Sequence, residues 1–278
     1  SRPRASRVLT TSLALILAMS GQTARAEGAF GSAFARALAE AVSADDALAG
    51  FYQTTGYTDL WTGADDAPRR AAALHAFAGA ADHGLPTQRY DSAALIAAFQ
   101  SAQTEGDRGR VEAAMSRAYL SYARDLSSGA LTPAKVDPGI VREIVRPDPL
   151  ALMQDIAATD QPAAYLAKLA PSSPDYARLV KEKLRLDEIV AQGGWGAAVS
   201  ASSLGLGDTG PSVIALRNQL IARGYLAQTA AASYDRGLLR AVQRFQLDSG
   251  ITADGAAGPS TLDALNVPAT ERRKSVVV

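Results

Sequence analysis

The chain has 278 residues, enough for two domains, and its 47% hydrophobic and 20% charged content suits a folded protein rather than a disordered one. Lys and Arg total 28, as do Asp and Glu, and no basic tract is available to neutralise phosphates, so nucleic acid is not an expected partner. Cysteine is absent, which removes disulfides, cysteine zinc sites and any thiol nucleophile from these residues.

Residues 1–26 read as a secretory signal peptide. Arg2, Arg4 and Arg7 give a positive start, and Val8 to Met19 is a mainly apolar run too short to span a bilayer. Ala24-Arg25-Ala26 is a small-x-small cleavage site, so the mature chain is expected to begin at Glu27, to lie in the periplasm and to keep no membrane span. Much of the hydrophobic content beyond this point is Ala, a strong helix former that buries little area, and the expected fold class is all-α with modest cores.

Residues 30–49 read as one Ala-rich helix with Phe34, Leu38 and Val42 on a face. Phe51-Tyr52 and Tyr57 to Trp61 follow as a compact aromatic segment, read as core packing in preference to a sugar-stacking platform. Arg69 to His83 predicts a helix closed by Gly84, and Ser92 to Phe99 a short one. Asp107 to Leu126 is the longest helix of this half, striped by Val111, Met115, Tyr119, Tyr122 and Leu126. Leu131 to Pro138 reads as an extended loop. Pro149 to Ala158 and Pro162 to Leu169 form a helical pair. Ser173 caps a further helix with Pro174 at its first position; that helix carries Leu179, Leu184, Leu186 and Ile189 and ends before Gly193-Gly194-Trp195. Gly196 to Gly207 reads as a flexible joint.

The final stretch is the most regular. Pro211 opens a helix with Val213, Leu216 and Leu220 on one face, and Gly224 ends it. A second helix begins near Tyr234-Asp235, striped by Leu238, Val242 and Phe245 and ended by Gly250. Asp254-Gly255 marks a turn, and Gly258-Pro259 starts a third helix with Leu262 and Leu265 inward. Three short helices make a bundle of about 60 residues, close to the lower limit for a domain that folds alone.

This stretch resembles the bacterial peptidoglycan-binding domain, a three-helix module appended to cell-wall enzymes. The matching points are Val213, Leu216, Leu220, Gly224-Tyr225, Ala241-Val242, Phe245-Gln246, Gly250, Asp254-Gly255, Gly258, Thr261 and Leu265. The half before it is similar to the scaffold domain of large periplasmic L,D-transpeptidases. That likeness rests on Phe51-Tyr52 with Tyr57, Leu60 and Trp61; on Asp82-His83-Gly84-Leu85; on Tyr119 to Asp125 with Gly129, Leu131, Pro133 and Lys135-Val136-Asp137; and on Tyr176, Leu179 and Gly193-Gly194-Trp195. The resemblance implies signal peptide 1–26, scaffold-like domain 27–195, linker 196–206 and peptidoglycan-binding module 207–266. Residues 267–278 would start a connection to a catalytic domain outside this sequence.

Such enzymes join stem peptides through a cysteine thiolate activated by His. With no Cys here, no catalytic residue carries over, and the enzyme assignment stays open for the chain as given. His75 and His83 sit on or at the end of one early helix with no evident partner. Asp45-Asp46, Asp65-Asp66 and Asp187-Glu188 are adjacent pairs whose side chains diverge on a helix, which suits caps and turns better than acid–base pairs. No metal or cofactor is expected.

The expected role is the non-catalytic, peptidoglycan-binding portion of a murein L,D-transpeptidase. A freestanding periplasmic adaptor is the alternative, and a wall hydrolase the third reading. The ligand is expected in a shallow groove between the second module helix and the Asp254–Gly258 loop, at Tyr225, Gln243, Arg244, Gln246 and Asp254. Gln and Arg supply donors for stem-peptide carbonyls and carboxylates. For Asp254 a role in fixing its own turn weighs more than ligand contact, and Gln246 has the same alternative of being held by backbone.

Overall fold

The computed structural model describes residues 31–130 and 145–276. Among them the chain is all-α: twelve α-helices, two short 3₁₀ turns and two isolated antiparallel bridges, with no strand. The expected signal peptide and the extended loop at Leu131–Pro138 lie outside the described residues. The chain divides into two compact units, one from residues up to 81 and from 85 to 171, the other from residues 82–84 and 172 onward.

In the first unit, residues 30–49 give two helices rather than one. The first, α1, spans Ala33–Val42 and the second, α2, Asp46–Thr54. The break has a local cause: the Asp45 carboxylate accepts from the N–H groups of Ala47 and Leu48, so the chain starts a fresh helix there. Phe51 and Tyr52 consequently lie on α2, buried. The helix α3 (Ala67–Ala78) gives way to a 3₁₀ turn at Gly79–His83, and α4 spans Ser92–Ser101.

The long helix α5 (Glu105–Ser128) is the axis of this unit. Thr104 and Asp107 form a reciprocal capping box: the Asp107 N–H donates to Thr104 Oγ1 at 3.1 Å and the Thr104 N–H to Asp107 Oδ2 at 3.0 Å. These bonds, led by those from Thr104, hold the Asp107 carboxyl down at about 2. Val111, Met115, Tyr119, Tyr122 and Leu126 are all buried, as their spacing predicts. Gly109 lets α1 approach: a Cβ there would stand 2.5 Å from the Phe34 carbonyl oxygen and 3.0 Å from the Leu38 nitrogen. The unit is completed by α6 (Pro149–Ala158) and α7 (Pro162–Lys168).

Glu112 is fully buried in the middle of α5. Its Oε1 accepts from the Tyr52 hydroxyl (2.7 Å) and the Leu60 N–H (2.8 Å). Its Oε2 accepts from the N–H groups of Trp61 (3.1 Å) and Thr62 (3.0 Å) and from Thr62 Oγ1 (2.9 Å). One carboxylate therefore holds the loop between α2 and α3.

The second unit opens with α8 (Pro174–Ala191), capped by Ser173 with Pro174 at its first position. Its buried side is set by Lys183 and Leu186, whereas Leu179 and Leu184 stand 47% and 42% exposed. Leu186 packs with Trp195 and Ala269, flanked by Ile189 and Val190. The module helices are α9 (Pro211–Ala222), α10 (Arg236–Asp248) and α11 (Pro259–Leu265), followed by α12 (Ala269–Lys274). Gly224 ends the first in the left-handed region at φ 83°, and Asp235 caps the second by accepting from the Leu238 N–H at 2.8 Å. Val213, Leu216, Leu220, Leu238, Val242, Phe245, Leu262 and Leu265 form the core.

Residues 196–206, expected as a joint, contribute to that core. Val199 and Leu204 are buried in it, and the Asn266 side chain brackets the Val199 backbone, accepting from its N–H at 2.8 Å and donating to its carbonyl at 3.0 Å. Leu204 and Ala257 exchange both backbone bonds, at 3.0 and 2.8 Å.

Candidate functional site

The five residues expected at the ligand groove fall into two groups. Gln246, on α10, is 1% exposed and fully engaged. Its amide nitrogen donates to Asp254 Oδ1 (2.9 Å), the Ala256 carbonyl (2.9 Å) and Thr261 Oγ1 (3.0 Å), and its oxygen accepts from the Gly255 N–H (2.9 Å). Asp254 also accepts from the Ala256 N–H at 2.9 Å. That backbone bond, with Gln246 second, holds the Asp254 carboxyl below the usual carboxylate range. Both side chains thus close the Asp254–Ala256 loop onto α10, the backbone-fixing role weighed for them from the sequence. Gly255 takes φ 77°, and a Cβ there would lie 2.9 Å from the Leu239 side chain and 3.1 Å from that of Gln243. Gln243 is half-buried beside this loop.

Tyr225, just past α9, and Arg244, on α10, come together at another point. Tyr225 is half-buried, its ring edge-on to Phe245 with centroids 5.5 Å apart, and its hydroxyl donates to Asp248 Oδ2 at 2.9 Å. Burial first, and then the Asp248 carboxylate, push its phenol pKa up. Arg244 is exposed and donates to the Tyr225 carbonyl. This pair sets a half-buried aromatic ring beside an exposed guanidinium, a combination that can contact and hydrogen-bond a sugar–peptide ligand.

Arg223 belongs to the same corner and escapes sequence reasoning, because the glycine after it accounts for the helix end by itself. Its guanidinium carbon lies 4.2 Å from the centre of the Trp195 ring and 5.8 Å from that of Phe245. It donates to the Leu265 and Val267 carbonyls, not to a carboxylate.

The carboxylate pairs have structural work. Asp45 caps α2; Asp66 accepts from the Gly63 N–H and pairs with Arg69 at 2.7 Å; Asp187 pairs with Lys183 at 2.6 Å and Arg273 at 2.5 Å. His75 is exposed on α3. His83 groups with the second unit, its Nδ1 2.6 Å from the Tyr176 hydroxyl, and burial lowers its pKa. Among the described residues no group of three or more His, Asp or Glu side chains converges on a metal position, and no helix is long and apolar enough to cross a membrane.

Two family models match the chain. Residues 46–182 match a scaffold domain, and residues 209–265 match a putative peptidoglycan binding domain. The second match covers α9 to α11 and both groups of candidate residues, and it supports peptidoglycan as the partner and a place at the cell wall outside the cytoplasm. No curated protein matches the chain.

Proposed function

We propose that this chain is the scaffold and wall-binding portion of a murein L,D-transpeptidase, exported to the periplasm, and that it anchors such an enzyme to peptidoglycan. The observation that carries the reading is the order of the two matches, a scaffold domain followed by a peptidoglycan-binding module with a buried apolar core of its own. The 278 residues contain no Cys, so the thiolate chemistry of that reaction class is not theirs, and the role assigned to them is binding and positioning. Within the module, Tyr225, Gln243 and Arg244 are the candidate contacts, with Gln246 and Asp254 holding the adjacent loop in shape.

The test is sedimentation of the full chain with purified sacculi. The chain is expected to pellet with them, and Arg244→Ala to lower the bound fraction severalfold while the circular dichroism spectrum and melting temperature stay close to those of the parent. A folded chain that remains in the supernatant would end the binding assignment and make the module a spacer.

A further inference from the structure

One corner of the second unit gathers arginines that form no salt bridge, with Glu182 and Asp248 the nearby carboxylates. Arg223, Arg244 and Arg272 have no acid within salt-bridge distance among the described residues, although their neighbours Arg273 and Lys274 are paired with Asp187 and Glu271. Arg223 and Arg244 flank the Tyr225–Phe245 ring pair, one over Phe245 and one on the Tyr225 carbonyl. Arg185 also lies over Trp195, 5.7 Å from the ring centre, but Glu182 holds it with bonds of 2.8 and 2.7 Å. Arg272, exposed on α12, is near enough for its charge to act on both Arg223 and Tyr225. Burial first, and then Arg272, push the Arg223 pKa down to about 10, so Arg223 and Arg272 are held near one another at an electrostatic cost.

Two buried donors at this corner also lack partners: Trp195 Nε1–H and Arg223 Nε–H. Beside them runs a cleft of about 370 Å³ lined by Trp195, Gln219, Asn266, Val267 and Thr270. Arg223 is tied to two of these lining residues, reaching Gln219 Oε1 at 3.4 Å and the Val267 carbonyl at 3.5 Å. Arginines without acid partners beside a part-apolar cleft describe a receptor for a small anion that carries an aliphatic group.

We infer that the Arg223–Arg244–Arg272 corner binds a peptide carboxylate, so that this module grips the anionic stem peptide of the wall and not the neutral glycan. The inference rests on the reading that the ligand is peptidoglycan, in which the stem peptides carry the carboxylates. Arg244 and Arg272 are exposed and can form charge-assisted bonds with the anion, while Arg223 forms the floor and supplies potential. Trp195 and Arg272 lie outside residues 209–265, so the binding face is wider than the matched module.

The experiment titrates the full chain with a soluble stem tetrapeptide, with the same peptide amidated at its carboxylates, and with an N-acetylglucosamine oligomer as the neutral glycan, followed by calorimetry. The anionic peptide is expected to bind, with affinity falling as salt rises; amidation should weaken it at least tenfold, and the glycan should not compete. Arg272→Gln and Arg244→Gln are each expected to weaken peptide binding by about tenfold, the loss of one charge-assisted hydrogen bond, with unchanged melting temperature. Equal affinity for the charged and amidated peptides, unchanged affinity in both variants, or no binding of the charged peptide would each overturn the inference. Sedimentation with sacculi separates the two failures: a chain that pellets with sacculi but ignores the peptide charge refutes the corner alone, and one that does not pellet refutes the wall-binding reading itself.

Discussion

Each unit uses a buried polar side chain of a central helix to hold a loop: Glu112 of α5 in the first, Gln246 of α10 in the second. The loops differ in what they present. The 60–62 segment turns three backbone N–H groups and the Thr62 hydroxyl toward α5, with the Tyr52 hydroxyl joining them, so only donors converge on Glu112. An acceptor-only carboxylate fits that set. The 254–256 loop offers one N–H but also a carboxylate and a carbonyl, and Thr261 adds a hydroxyl. An amide, with donor and acceptor at one tip, fits that one. The charged clasp carries a burden the neutral one lacks: burial pushes the Glu112 pKa up even against its hydrogen bonds. The first unit therefore feels pH through its clasp, and the second does not feel it through Gln246.

Exchanging the two chemistries tests this contrast, and Gln246→Glu should have the largest effect. It sets a second carboxylate against Asp254 and against the Ala256 carbonyl and removes three donated bonds. With buried unsatisfied groups costing roughly 1–3 kcal/mol each, the loss should be on the order of 5 kcal/mol, enough to unfold a unit of this size. Trp61 and Trp195 are the two tryptophans, one in each unit and both buried, so urea unfolding followed by fluorescence in a Trp61→Phe background reads the second unit alone. A variant that kept the parent midpoint would show that the amide is not the clasp.

The reciprocal change, Glu112→Gln, should cost roughly 3 kcal/mol near neutral pH, the upper end for leaving a buried donor unsatisfied, because an NH₂ now meets backbone N–H groups. Its pH behaviour is more diagnostic than its size. A carboxyl whose folded pKa is raised holds its proton longer in the folded state than in the unfolded one. Its contribution is fully present below the ordinary carboxylate range and is lost as pH rises through the folded value. The gap between parent and Glu112→Gln should accordingly be widest in acid and narrow as pH rises. A gap that widened with pH would mean that the hydrogen bonds outweigh burial.

The uneven legibility of the two clasps has a physical cause. The helices themselves were readable because periodicity and caps are local: Ser173-Pro174, Asp235 and the α5 stripe all stand where their spacing puts them. Glu112 sits within that stripe, and nothing local marks it as buried, since its partners come from a loop some fifty residues earlier. Gln246 and Asp254 lie eight apart, close enough for both their roles to be posed, and only their mutual bond decides how each is used. The exposed part of the site was half legible. Tyr225 belongs to the module pattern and Arg244 stands next to its Phe245-Gln246 point, but Arg223 hides beside a helix-ending glycine and Arg272 lies past the pattern's end. The core role of Val199 and Leu204 was hidden by a Gly- and Ser-rich composition that reads as a joint.

The finest test concerns the tyrosine that supports each clasp. Tyr52 donates to Glu112 at 2.7 Å and shares a hydrogen bond with Ser116 at the same distance. Tyr234, equally buried, donates to the Gly255 carbonyl at 2.7 Å and so supports the second loop without touching Gln246. Removing each hydroxyl isolates one bond in each unit. Tyr52→Phe loses a bond to a charged group, about 2 kcal/mol, while Tyr234→Phe loses a neutral one, about 1 kcal/mol. Only the first should alter pH dependence. A carboxylate that loses a donor becomes easier to protonate, so the Glu112 pKa should rise further and the range over which stability falls with rising pH should extend upward. Denaturant midpoints of both variants across a pH series read the two effects together. Equal costs with parallel pH profiles would mean that the charge on Glu112 plays no part in holding its loop, and the contrast between the two units would fail.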